Sequence, residues 1–213
     1  MLVLEGGDLA GKTTLGAMLA KTYGVEMVHM SAPKDGERDF ANVAKVILGN
    51  PNNLIVDRMA LGDFAYRSFW PREPQTTQQE LECWLKYLTL SQSYIVFADP
   101  TDETIEQRYN ARGDEFLTLD KILIAANNYR GIFESIYESS NFRRVLIYDS
   151  GTYSPDGFLQ RYESAINEAI LTADIPFDLA YDVLHDNEAT TTEVSRPTED
   201  DPVAQGVDPA ALL

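Results

Sequence analysis

Short apolar runs alternate along this chain with stretches whose apolar residues recur at helical spacing. That alternation predicts a β/α protein built on a parallel sheet. Residues 1–4, 25–30, 54–58, 94–98 and 142–148 are runs short enough for buried strands. Residues 14–21, 40–48, 64–70, 78–90, 104–112, 119–139 and 158–171 carry the helical pattern. Gly49-Asn50-Pro51 stops one of these helices, and Thr101 stands where an N-cap would start another.

One turn between these elements has a composition of its own. Gly6-Gly7-Asp8-Leu9-Ala10-Gly11-Lys12-Thr13, followed by Thr14, fits G-x-x-x-x-G-K-[ST] between the first strand and the first helix. Glycines let the backbone curl so that successive N–H groups converge on phosphate oxygens, and the helix adds its positive end. Lys12 would reach the β- and γ-phosphates, and the Thr13 hydroxyl would serve a bridging Mg²⁺. An ordinary glycine-rich turn is the competing reading, and the strand and helix flanks argue against it.

With 213 residues and 44% hydrophobic content, the chain suits one α/β domain, expected over residues 1–175. Residues 176–185 read as an extension. Residues 186–213 read as an acidic disordered tail, with seven carboxylates against Arg196. The net charge of −17 disfavours long-range attraction to nucleic acid. No apolar run approaches membrane-spanning length and no basic leader precedes the first strand, so no membrane partner is expected. The single cysteine, Cys83, reads as a buried structural thiol.

Strand ends supply the remaining chemistry, because in a parallel sheet the carboxyl ends face the ligand crevice. The run ending in Asp57-Arg58 would aim both side chains at the phosphates, Asp57 toward Mg²⁺ through a water and Arg58 toward an anionic acceptor group. A surface ion pair is the alternative. His29 reads as a satisfied histidine at a strand end rather than a catalytic one. Arg108 and Arg112 lie four apart on one helical face, either solvated or as cations of a mobile lid near 108–118 that stabilise charge on the transferring group. Aromatic residues such as Phe64, Tyr66, Trp84 and Tyr87 read as core, with one or two lining a pocket.

Taken together, residues 1–171 resemble the thymidylate kinase branch of the P-loop nucleotide kinases, in a compact form similar to bacteriophage-encoded members. Glu5-Gly6-Gly7-Asp8-Leu9-Ala10-Gly11-Lys12-Thr13-Thr14 looks like that family's E-G-x-D-x-x-G-K-T-T. The segment from Asp57 to Arg67 resembles its D-R-Y-x-x-S-x-x-A-Y-Q, and Asp99-Pro100 with Arg108 and Arg112-Gly113 its strand-then-lid segment. The resemblance implies the P-loop nucleoside triphosphate hydrolase fold: a five-stranded parallel sheet in the order 2-3-1-4-5, flanked by helices, with a helical lid. It implies ATP and Mg²⁺ as cofactors and residues 6–14 as the nucleotide loop. Asp8 would contact the sugar 3′-hydroxyl, Arg58 the acceptor phosphate, and Arg108 and Arg112 the lid. Asp63, Tyr66 and Arg67 become acceptor contacts, and the loop near 149–153 would lie by the adenine. Some members carry a catalytic arginine at the position of Leu9, so here the lid arginines would supply that charge. The chain departs from the family at Ser31-Ala32-Pro33, Gly62 and Arg67, and its segment between strands two and three is short.

The resemblance implies a cytoplasmic enzyme, in the host cytoplasm if phage-encoded, that converts dTMP to dTDP or phosphorylates a related deoxynucleoside monophosphate. Its partners would be the deoxynucleotide and a second copy in a homodimer. A hydroxyl acceptor, either a deoxynucleoside or 5-hydroxymethyluracil in phage DNA, is the alternative. That chemistry needs a carboxylate base, for which Glu5, Asp8, Asp57 and Asp63 are candidates. A nucleotide-binding protein without catalysis is the third reading.

Overall fold

The structure, a computed structural model, describes residues 1–30, 54–70, 76–140 and 142–171. The helix expected at 40–48, the Ser31-Ala32-Pro33 turn and the segments 176–185 and 186–213 lie outside the described residues. Chain order is β1 (Leu2–Glu5), α1 (Lys12–Tyr23), β2 (Glu26–His29), β3 (Leu54–Asp57), α2 (Leu61–Tyr66), α3 (Gln78–Leu90), β4 (Tyr94–Ala98), α4 (Asp102–Arg112), α5 (Leu119–Ser139), β5 (Val145–Tyr148) and α6 (Pro155–Leu171).

All four strand pairings are parallel and the order is β2-β3-β1-β4-β5, as expected. Each strand is only four or five residues long; the central β1, β3 and β4 are buried on both faces, which explains their unbroken apolar runs, whereas the edge strands β2 and β5 are partly exposed. Alternation sorts the side chains into two layers. Val3, Val56, Ile95 and Phe97 pack with α2, α3 and α5, whereas Leu2, Leu4, Ile55 and Val96 pack with α1 and α6. Each fully buried aliphatic side chain stabilises by about 1.5–3 kcal/mol. The same alternation throws Glu5 toward the α5 layer and Asp57 toward the α1 layer. The connections leaving β1 and β3 run to opposite sides of the sheet and open a crevice at its carboxyl edge.

Several boundaries differ from the sequence pattern. β5 begins at Val145, although the apolar run begins at Phe142, which is buried but precedes the first ladder pair, Ile95 with Val145. Hydrophobicity reports burial, whereas a strand also needs a neighbour. α6 begins at Pro155, whose fixed φ suits a first helical position, and the Ser154 hydroxyl accepts from the Gly157 amide at 3.1 Å. α2 spans Leu61–Tyr66 rather than 64–70. Thr101 does cap α4, accepting from the Thr104 amide at 3.3 Å. Cys83 is half-buried rather than buried. No helix among the described residues is long and apolar enough to cross a membrane.

Candidate nucleotide and phosphate site

The loop leaves β1 through Gly6, whose φ is +140° and where a Cβ would lie 2.4 Å from the Ala98 carbonyl oxygen. Leu9 holds φ +63° without glycine's freedom, a strain of about 1–2 kcal/mol. Gly11, at φ +89°, then opens α1. That helix start has no side-chain cap and no acidic residue in its first turn, so its free N–H groups and positive end face the loop uncompensated. These are the conditions for an anion site. Thr13 and Thr14 are exposed there. The buried Lys12 ammonium donates to the Gly6 and Gly7 carbonyls at 2.8 and 2.6 Å. Burial, reinforced by the neighbouring Arg58 cation, lowers its pKa to about 8 against the pull of Asp57, Asp8 and Glu5.

Thr13, Asp57 and His29 form one corner of this site. The Thr13 hydroxyl donates to Asp57 Oδ2 at 2.9 Å, and His29 Nδ1 lies 3.1 Å from the same oxygen. Asp57 Oδ1 is buried and has no hydrogen-bond partner among the described residues. An unpaired buried acceptor costs about 1–3 kcal/mol, more when charged. These residues fit Mg²⁺, because water ligands of the ion would donate to that oxygen and Thr13 would offer its own. Among the described residues no group of three His, Cys, Asp or Glu side chains could hold a metal.

A second cluster beside the loop is built around Arg58, whose φ is +69°. Its amide bonds the Leu4 carbonyl at 2.9 Å, and the next amide, Met59, bonds Glu5 Oε1 at 2.8 Å. The two bonds hold a strained reversal that turns the guanidinium onto Asp8. The Tyr66 hydroxyl donates to Asp8 Oδ2 at 2.9 Å and accepts the Asp8 amide at 3.1 Å, while Arg58 lies 5.8 Å from the Tyr66 ring centre. Glu5 is fully buried, and the Tyr129 hydroxyl bonds its other oxygen at 3.3 Å. Burial raises the Glu5 pKa from 4.5 to about 7, with Lys12 and the Met59 amide opposing.

On the other side, Arg108 donates to the Leu9 carbonyl at 2.7 Å, to Ser150 Oγ at 2.8 Å and to the Ser150 carbonyl at 3.0 Å. Ser150 Oγ in turn donates to the Ala10 carbonyl at 2.8 Å. Arg108 therefore clasps the loop backbone to the segment after β5. Arg112 lines the same cavity as Lys12, Thr13 and Arg58, and among the described residues it makes no hydrogen bond or ion pair.

The structure thus gathers Asp8, Lys12, Thr13, Asp57, Arg58, Tyr66, Arg108 and Arg112 around the loop. It does not bring Asp63 and Arg67 there. Asp63 accepts from the Thr76 amide at 2.6 Å and from Arg67 at 3.3 Å, and Arg67 also donates to the Thr76 carbonyl. Spacing alone put them beside Tyr66, but their bonds tie α2 to the start of α3. His29 is the residue whose place the sequence reading missed; Ser150 lies in the 149–153 loop that the resemblance set by the adenine, but its tie to Arg108 was not foreseen. His29 could have been found by pairing β2 with β3, whereas nothing local marked the bond between Ser150 and Arg108.

Two small cavities flank the loop. One, about 140 Å³, is lined by Lys12, Thr13, His29, Arg58 and Arg112, and the other, about 430 Å³, lies between Arg108 and the 150–155 turn. A cavity of about 1210 Å³ lined from α2, α3 and α5, with Phe64, Arg67 and Asn128 among its walls, shares no lining residue with those two.

The fold is the P-loop fold of nucleotide kinases. The chain is similar to the YorR protein of Bacillus subtilis, solved in complex with phosphorylated GDP, with TM-score 0.65 and 19% identity over 78% of this chain and 95% of that one. It is also similar to deoxyadenosine kinase from M. mycoides with bound dATP, with TM-score 0.53 and 14% identity over 78% of this chain and 98% of that one. No protein-family model and no curated protein matches the sequence.

Proposed function

We propose that this chain is a P-loop nucleotide kinase that transfers the γ-phosphoryl group of ATP to a deoxynucleoside monophosphate, with dTMP the first acceptor to test. The observation that carries the reading is the Asp8–Arg58–Tyr66 cluster standing against the phosphate loop. It sets a cation and a hydroxyl-binding carboxylate beside the donor site. Similarity to structures solved with a phosphorylated guanine nucleotide and with dATP supports a nucleotide ligand.

In this reading the loop amides and the α1 terminus bind the donor's phosphates, and Lys12 leaves its carbonyl partners to follow the transferred charge. Bound Mg²⁺, held by Thr13 and through Asp57, would neutralise phosphate charge. Arg58 orients the acceptor phosphate bidentately. Asp8 has used two of its four acceptor directions, so it can also receive the sugar 3′-hydroxyl. Arg112 closes over the transferring group, while Arg108 keeps the loop in shape.

A monophosphate oxygen is already ionised and needs no base, whereas a hydroxyl does. Here Glu5 and Asp57 are fully buried, Asp63 is bound to Thr76 and Arg67, and Asp8 is paired with Arg58. That occupancy favours the monophosphate. The test supplies labelled ATP and Mg²⁺ with dTMP, other monophosphates, thymidine or hydroxymethyluracil-containing DNA. Label is expected in monophosphates. Transfer only to thymidine or DNA would replace this acceptor class with a hydroxyl, and transfer to none would leave a nucleotide-binding protein.

A further inference from the structure

His29 sits in the phosphate cavity without a part in the scheme above. β2 and β3 pair in parallel with His29 opposite Asp57, and Met27 and Ile55, two residues earlier on each strand, both pack in the α1 layer. Register therefore sets the imidazole beside the carboxylate on the face where Thr13 opens α1. Asp57 is completely buried, but the His29 side chain is 56% exposed. The two residues thus run from the sheet interior to the cavity wall.

The hydrogen bonds are lopsided. An ionised carboxylate can only accept, so Nδ1 carries the proton and donates to Oδ2. The same oxygen takes the Thr13 hydroxyl, and Oδ1 takes nothing. Two donors on one oxygen fix the rotation of the carboxyl group about its Cβ–Cγ bond. They leave the second oxygen as a buried acceptor that has no donor among the described residues and that a donor brought by a ligand would satisfy. Water molecules on a divalent cation are such donors. When the Thr13 oxygen coordinates the cation, its rotation is set by the cation as well, and His29 remains the independent hold on Asp57.

We propose that His29 is a positioning residue for the nucleotide-associated divalent cation: its Nδ1–H holds Asp57 so that Oδ1 faces the cation's water ligands. The inference rests on the nucleotide-kinase reading of the loop. It assigns His29 no contact with the reacting atoms. Hydrogen bonds of this outer kind commonly change metal affinity by about 10–100-fold when removed.

The experiment measures Mn²⁺ binding by electron paramagnetic resonance on the full chain saturated with a non-hydrolysable ATP analogue, for wild type, H29A, H29N and D57N. Analogue affinity is measured separately in EDTA. His29→Ala should weaken Mn²⁺ binding about tenfold and leave analogue affinity in EDTA and the melting temperature unchanged. His29→Asn, whose side-chain N–H can replace Nδ1–H, should restore most of the affinity, and Asp57→Asn should weaken it further than H29A. Wild-type Mn²⁺ affinity in H29A overturns the role of His29 alone. Failure of the wild-type protein to bind Mn²⁺ with the analogue, or wild-type affinity in D57N, overturns the cation site and the inference with it.

Discussion

Two arginines grip the phosphate loop from opposite sides, and their partners differ in kind. Arg58 meets Asp8, a carboxylate on a half-buried ion pair, with side-chain exposures of 29% and 22%. Arg108 meets the Leu9 carbonyl and the hydroxyl and carbonyl of Ser150, all neutral dipoles. A charge pair that water and ligands can reach is able to exchange partners when an anion arrives. A guanidinium spread over backbone carbonyls acts as a tie, and removing it strands acceptors rather than freeing a cation. Under the proposed kinase reading, the Arg58 side serves binding and chemistry and the Arg108 side holds the loop's strained shape, with Arg112 joining Lys12 as a cation for the phosphates.

The largest effect tests whether either side matters without the loop between them. Lys12→Ala should lower phosphoryl transfer by about 10³-fold or more in single-turnover assays, and near-wild-type transfer would remove the donor site itself. Arg58→Ala should cost about 10²–10³-fold in kcat/KM for the acceptor while donor affinity stays close to wild type. A loss confined to donor affinity would place Arg58 on the wrong side of the comparison.

Glu5 sharpens the acceptor side through pH. Its folded pKa, about 7, lies above its ordinary 4.5, because burial disfavours the carboxylate. The stability it contributes is therefore fully present below about pH 4.5 and lost as pH rises through 7, on the order of 3 kcal/mol. Glu5→Gln stays neutral and keeps an oxygen for the Met59 amide. Its melting temperature should gain on wild type between pH 4.5 and 7.5, and parallel curves would show that Glu5 does not titrate in that window. The smallest contrast is between the helix-borne arginines. Arg108→Ala should cost about 1–3 kcal/mol of stability by stranding the Leu9 and Ser150 acceptors, whereas Arg112→Ala should lower kcat about tenfold with an unchanged melting temperature. Reversed phenotypes would break the assignment.

The loop, the strands and the Asp57-Arg58 strand end were legible because each is a local pattern. A glycine-rich turn between an apolar run and a helix has few other uses, and charges directly after a buried run must emerge at the sheet edge. Arg108 and Arg112 were legible as a pair but not as different residues, since equal charge at helical spacing says nothing about which one meets backbone carbonyls. Asp63 and Arg67 misled for a related reason. They stand in the same motif as Tyr66, but the Thr76 backbone bonds both.

The sequence by itself determined the β/α alternation, the anion-binding loop and the charged end of β3, all set by interactions within a few residues of chain. Only the tertiary structure decided the register of β2 on β3 that sets His29 against Asp57, and the fold of the turn after β5 that places Ser150 under Arg108. Those contacts join residues 28 and 42 positions apart. Their pairing follows from strand register and layer packing, which no local pattern of residue types encodes.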